Sequence, residues 1–447
     1  MRSPISWRSL LLVVLGGVLF FGLSGQRPAH AGGPLIVGGS FGLDAQPFTW
    51  DTSAPIGYTT DGGMLGTLTA AQADTRVASM FQVWADIGTA TISFSRADPI
   101  MNAGVFTDGD VDTMEEFNAV EGSCLNGTQS PIVYDADGSI FQDLFGDPNV
   151  IGFAGPCRRG VNGRILSAEA ALNGRFLDGI TDLNASPPNR ELSDAAFDAT
   201  FIHEFGHFSG LDHSQINLNC IVTGCADGSD DAFGLPTMFP FLLSGLEEST
   251  GVPAQLTLAP DDVAWISRLY PATGAGGFDA TFGTIEGTIF FSDGQTPVQG
   301  VNVIARQVGN PRRVAVSVVS GYLFTGNPAQ SVTLTNPGSS FGSREPQWVG
   351  IFRIPGLPPG DYTVEVEELN AAFVDGSSVG PLGASFPTGA SEQFLLPGPP
   401  EFWDTGESDT DDPAVSSPVT ISAPGIVVMA IDIILNGTPP RFDQFEN

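Results

Sequence analysis

Residues 203 to 214 read His-Glu-Phe-Gly-His-Phe-Ser-Gly-Leu-Asp-His-Ser, and this stretch carries the chain's most specific chemistry. His203 and His207 are four residues apart; on a helix that spacing puts both imidazoles on one face, within reach of one metal ion. Glu204 follows the first histidine, so it projects beside the ion, where a general base for water belongs. Gly210 can adopt the backbone conformation that ends a helix abruptly, and the turn brings His213 round as a third ligand. Three neutral imidazoles leave tetrahedral Zn2+ one open position, which water can fill. The chain has four histidines, and the fourth, His30, lies in a leader expected to be removed. The competing reading is an amphipathic core helix that carries histidine by chance. Five fixed positions within eleven residues weigh against it.

The pattern H-E-x-x-H-x-x-G-x-x-H resembles the zinc signature of the metzincin metallopeptidases, and Leu211-Asp212-His213-Ser214 is most similar to the matrixin branch. The resemblance implies zinc on His203, His207 and His213, with Glu204 as catalytic base. It also implies a downstream Met-turn beneath the metal, and Pro236-Thr237-Met238-Phe239-Pro240 fits that slot through Met238. Residues 258–270 resemble the final matrixin helix, so the likeness spans roughly residues 50 to 272. Many matrixins carry a propeptide whose cysteine blocks the zinc. No cysteine precedes Cys124 here, so either there is no thiol latch or latency works otherwise.

The formal net charge is −33, and all 17 basic residues are arginine. Such a surface repels nucleic acid and anionic membrane, and the peptidase resemblance implies a protein or peptide substrate as the partner. Arg2 and Arg8, a 14-residue apolar run over 10–23, and Ala29-His30-Ala31 together read as a cleaved secretion signal, with an uncleaved anchor as the alternative. The expected location is therefore secreted, with the periplasm or cell surface as alternatives. Export permits disulfides among Cys124, Cys157, Cys220 and Cys225, and local pairing (220 with 225, 124 with 157) is preferred among three connectivities. Asp135-Ala136-Asp137-Gly138 resembles the start of a Ca2+ loop, but the terminal glutamate is missing. A tight turn into a short helix is the competing reading. Asp227, Asp230 and Asp231, and the acidic run 401–412, read as solvated.

Positioning the motif requires a multidomain chain: an α+β metzincin-like catalytic domain followed by an all-β sandwich. The expected organisation is a signal peptide over 1–31, an N-terminal segment that is extended or loose over 32–47, and the peptidase domain over 48–272. A linker over 273–282, a β-sandwich over 283–437 and a tail over 438–447 follow. Within the peptidase part, 55–60 and 89–94 read as strands and 69–85 as a helix capped by Thr69. Residues 97–130 read as an insertion without period, and 164–172 as an edge strand. Residues 271–282 are a linker by composition. Beyond them, 284–291 and 298–305 read as a strand pair joined by Ser292-Asp293-Gly294, with further strands at 314–319, 349–354 and 361–366 and a closing strand at 426–435. Gly356-Leu-Pro-Pro-Gly-Asp-Tyr-Thr-Val resembles the carboxypeptidase-regulatory-like, transthyretin-like sandwich. This half has no histidine and no cysteine, so it offers no catalytic constellation.

The expectation is a secreted zinc metalloendopeptidase. The alternatives are an exported adhesive or binding protein with an inactive peptidase-like domain, and a metallohydrolase acting on a non-peptide bond.

Overall fold

The structure, a computed structural model, describes residues 32–37, 43, 45–100, 108–226, 228–243, 254–298, 300–323, 346–369 and 399–437. The expected signal peptide, Asp227 and the tail over 438–447 lie outside the described residues. The chain is mixed α and β, with several sheets and few helices. Its first half runs β1 (Ile56–Thr60), α1 (Ala70–Ala85), β2 (Phe94–Arg96), α2 (Met114–Leu125), β3 (Pro131–Asp135), α3 (Ser139–Phe145), β4 (Gly152–Arg159) and β5 (Ile165–Asn173). These five strands form one sheet in the order β2-β1-β3-β5-β4, in which only β4 runs antiparallel to its neighbour. Helices α4 (Asp194–Phe208), α5 (Asp230–Phe233), α6 (Pro260–Leu269) and α7 (Phe278–Thr281) follow.

Apolar residues at helical spacing fix how α1 and α4 meet. Val77, Phe81 and Trp84 of α1 are fully buried, and Phe81 stacks on Phe205 of α4 with ring centroids 3.8 Å apart. The Trp84 indole N–H donates to the Ile202 carbonyl at 2.9 Å, which locks the axial register between the two helices. Such aromatic pairs add about 0.5–1.5 kcal/mol beyond the burial of their area.

Three expectations for this half need correction, and a fourth is narrowed to one of its alternatives. The strand expected at 89–94 begins only at Phe94; Ala90 instead bridges Pro271. The supposedly aperiodic stretch 97–130 contains α2, whose buried face is Phe117, Val120 and Cys124. Its start is a capping box, with the Glu116 carboxylate accepting from the Thr113 N–H at 3.1 Å, a legible T-x-x-E signal. The edge strand is β4, not the stretch 164–172, because β5 lies inside the sheet between β3 and β4. Pro156 explains the swap: it has no N–H for a second ladder, so its strand must end a sheet. Finally, the described part of the N-terminal segment is not loose. Pro34 bridges Leu211 antiparallel, and Gly32 N donates to His213 O at 2.6 Å.

The second half contributes β6 (Gly283–Phe290), β7 (Asn302–Gln307), β8 (Ala315–Val319), β9 (Ile351–Leu357), β10 (Gly360–Glu367), β11 (Glu401–Phe402), β12 (Val419–Ile421), β13 (Val427–Val428) and β14 (Ile433–Ile434). One sheet has β11-β10-β7-β8 with β12 also on β10; the other has β13-β6-β14 with β9 also on β6. Ile285, Ile289 and Ile354 of the second sheet share one core with Val303, Val316, Val364 and Val366 of the first. Strands β6 and β7 are therefore not a hairpin pair but belong to different sheets. The closing strand is broken into β13 and β14, where Ala430 takes φ 61° and Asp432 accepts the Thr288 N–H.

Nor is 271–282 a free linker. Ala272 N donates to Thr89 O, and Phe278 and Phe282 are buried. Composition missed this because two aromatic anchors outweigh many small residues. The two halves share one continuous core across α6. There the Trp265 indole donates to Ser317 O at 2.8 Å, and a Cβ on Gly356 would lie 2.2 Å from Ala264 Cβ. Asp230 and Asp231, expected to be solvated, pair with Arg313 and Arg312 of the second half.

Candidate metal centre

Helix α4 begins at a conventional cap, the Ser193 hydroxyl accepting from Ala196 N. Near its C-terminus, where carbonyls lose their helical partners, the Trp50 indole donates to Phe208 O and the Tyr270 hydroxyl to Ser209 O. Gly210 then takes φ 92°, and the chain reverses so that His213 returns to face His203 and His207. The N-terminal segment runs beside this reversal, with Leu35 N donating to Gly210 O and Asp212 N to Gly33 O.

The three Nε2 atoms form a near-equilateral triangle: 3.1 Å between His203 and His207, 3.1 Å between His207 and His213, and 3.2 Å between His203 and His213. The Nδ1 atoms of His203 and His207 face the carbonyls of Thr237 at 2.7 Å and Leu211 at 2.8 Å. A carbonyl can only accept, so each Nδ1 carries the proton and each of these Nε2 atoms offers a lone pair. Lone pairs converging at this separation repel unless a cation lies between them. An ion about 2.0–2.1 Å from each nitrogen would see N–metal–N angles of roughly 100°, close to tetrahedral. Burial also keeps the rings neutral: it pulls His203 down to about 4 against the opposing Thr237 contact, and holds His207 and His213 well below the ordinary value. The buried group His203, His207 and His213 could thus hold a metal ion.

Glu204 is 1% exposed, and its Oε2 is buried without a hydrogen-bond partner. Burial pushes its carboxyl up to about 8, and a bound dication would act in the opposite direction. Gly152, at the start of edge strand β4, makes room for this side chain: a Cβ there would sit 3.0 Å from Glu204 Cγ. A narrow cleft opens beside Glu204 and His203, walled by Val150, Ile151, Phe239, Pro240 and Leu242.

The turn bearing Met238 forms the floor. Thr237 supplies the carbonyl that orients His203, while Met238 O accepts from Ser214 N at 2.9 Å. Met238 is buried, and its sulfur lies 2.2 Å from where a Cβ on Gly206 would be, so only glycine fits between the two ligands of α4. Sequence reasoning gave Gly206 no role.

It also missed Asp262. Its carboxylate accepts from Thr237 N at 2.8 Å, Met238 N at 3.0 Å and Ala259 N at 2.8 Å, pinning the turn to α6. The acidic pair following Pro260 at the start of this helix was the available signal.

The other expected residues lie elsewhere. Disulfides join Cys220 to Cys225, in the loop between His213 and Met238, and Cys124 to Cys157, tying α2 to β4. Both Asp135 oxygens accept backbone amides, from Gly138 N and Phe141 N, and Asp137 accepts from Ser139 N. That is the tight turn into α3. Among the described residues, no group of converging metal-ligating side chains includes Asp135 or Asp137. The disulfides are compatible with an extracellular protein, and no helix among the described residues is long and apolar enough to cross a membrane. No protein-family model matches the chain, and no curated protein matches it significantly.

Proposed function

We propose that the chain is an exported zinc endopeptidase: a matrixin-like α+β catalytic unit with a transthyretin-like sandwich packed on its final helix. The observation that carries this reading is the convergence of three imidazole Nε2 atoms beside a buried carboxylate with one uncommitted oxygen. Zinc held there would supply Lewis acidity, acidifying water at its open position and polarising a carbonyl.

The rest is the work of the chain's own residues. Glu204 Oε2 takes the proton of the attacking water and delivers it to the departing amine nitrogen. The C–O bond forms first as water adds to the carbonyl carbon, and the C–N bond breaks once the nitrogen is protonated, leaving a carboxylate and an amine with no redox partner needed. Edge strand β4 offers main-chain pairing to an extended peptide over its first part, Gly152 to Gly155, ahead of Pro156, the mode by which a sheet edge binds a substrate without reading its sequence. The apolar walls of the cleft favour a hydrophobic side chain next to the scissile bond.

The test is metal content of the purified protein, together with casein cleavage with and without chelator. About one zinc per chain and cleavage abolished by chelation support the proposal. Zinc without cleavage of casein or gelatin turns the reading toward a non-peptide bond or a binding protein. Absence of zinc removes the assignment.

A further inference from the structure

Within the acidic run 401–412, part of which is exposed, three carboxylates turn toward one another. Glu401 is 1% exposed, and one oxygen from each of Glu401, Glu407 and Asp411 lies within 4.8 Å of the other two. Backbone and amide N–H groups hold these carboxylates face to face. Glu401 Oε2 accepts from Asn436 N at 2.8 Å, and Glu407 accepts from Asp404 N at 2.8 Å and Ile434 N at 2.9 Å. Asp411 accepts from Ser408 N at 2.9 Å and Asn436 Nδ2 at 3.1 Å. Such donors favour the ionised form of each acid.

No positive side chain answers this charge: none of the ion pairs among the described residues includes Glu401, Glu407 or Asp411. Two oxygens are also left over. Glu401 Oε1 and Asn436 Oδ1 are buried with no hydrogen-bond partner, and the Asn436 amide sits against Asp411. Burial pushes Glu401 and Glu407 each up to about 7, with Asp411 adding to the effect, so full ionisation is costly without a counter-charge.

We infer that Glu401, Glu407 and Asp411, with Asn436 alongside, form a calcium site that staples the acidic loop to the closing strand β14. The donor set is all oxygen, which selects a hard cation. Magnesium demands near-ideal octahedral geometry and dehydrates reluctantly, whereas calcium accepts irregular sets of six to eight oxygens, so carboxylates supplied by an irregular loop suit calcium better. This site is independent of the histidine centre and of the peptidase reading.

The test is a calorimetric titration of the full-length protein with calcium chloride, repeated on Glu407→Gln, Asp411→Asn and the control Asp137→Asn. One saturable site with Kd of about 1 mM or below is expected. It should weaken at least tenfold in the first two variants and not in the control. No saturable binding by the unaltered protein up to about 5 mM, a range that covers weak extracellular sites, overturns the inference. So does unchanged affinity in both loop variants with native circular dichroism. Should the variants fail to fold, a crystal of the unaltered protein grown in calcium decides: anomalous density among the three carboxylates supports the site, and density only elsewhere refutes it.

Discussion

Gly206 stands in the interior of α4, where replacing glycine with alanine ordinarily stabilises by about 0.5–1 kcal/mol. Here the sign should reverse. An alanine Cβ would lie 2.2 Å from Met238 Sδ, 3.1 Å from its Cε and 2.9 Å from Trp84 Cζ2. Comfortable separations are about 3.5–4.0 Å, so the thioether must retreat by more than about 1 Å. Asp262 and Ser214 fix the Met238 backbone, so relief must come from rotation of a side chain that is itself buried in the core. Overpacking of this kind costs about 1–3 kcal/mol, and after the helical gain up to about 2.5 kcal/mol of destabilisation remains. For a chain of this length with one continuous core, that corresponds to a fall in Tm of about 3 °C or less. The decisive assay is a double-mutant cycle followed by denaturant unfolding of the metal-free proteins. Met238→Ala alone should cost about 2–5 kcal/mol through the cavity it opens. In that background the Trp84 contact at 2.9 Å remains, so Gly206→Ala should cost less than in the unaltered protein, with a coupling of about 0.5–3 kcal/mol. Equal effects of Gly206→Ala in both backgrounds, or a stabilised single variant, would refute the packing argument for this position.

Other consequences can be measured separately. Glu204→Ala should keep its metal, because Glu204 is not a ligand, yet lose about 10²–10⁴-fold in turnover; retained activity removes its assigned role. Asp262→Ala strands the buried N–H groups of Thr237, Met238 and Ala259. At about 1–3 kcal/mol for each unsatisfied group, a loss of about 3–5 kcal/mol is expected. It should come with weaker metal binding, since Thr237 also orients His203, and an unchanged metal affinity would sink that link. The buried imidazoles predict a pH dependence with a definite sign. The unfolded chain takes up protons near 6.5, whereas folded His203 does so only at about 4 and the other two well below 6.5. The histidines' contribution to the stability of the metal-free protein should therefore fall as pH drops below about 6.5. Buried carboxyls whose folded values are raised, Glu204 to about 8 and Glu401 and Glu407 to about 7, act in the opposite direction over the same range. A variant with all three histidines replaced by alanine should therefore lose less stability, or gain more, on acidification than the unaltered protein, and an equal slope would contradict the assignment.

The sequence alone determined what is local. The His-Glu-x-x-His spacing, the glycine that ends the helix and the third histidine lie within eleven residues, and one helical turn plus one reversal converts that spacing into a site. The strong helical period of α1, and most strands of the second half, were legible for the same reason. What the sequence did not disclose depends on residues far apart in the chain. Asp262 reaches Met238 across 24 positions and Glu401 reaches Asn436 across 35, contacts that no local period encodes. The edge strand was misplaced because Gly152 and Pro156 depress strand propensity, yet a sheet edge tolerates both. The linker was misread because composition cannot weigh two buried phenylalanines against the small residues around them. Burial decided the rest: Glu401, which read as solvated, is enclosed, while Asp230 and Asp231 gained arginine partners at a surface that stays hydrated, and only the assembled core determines which charges lose their water.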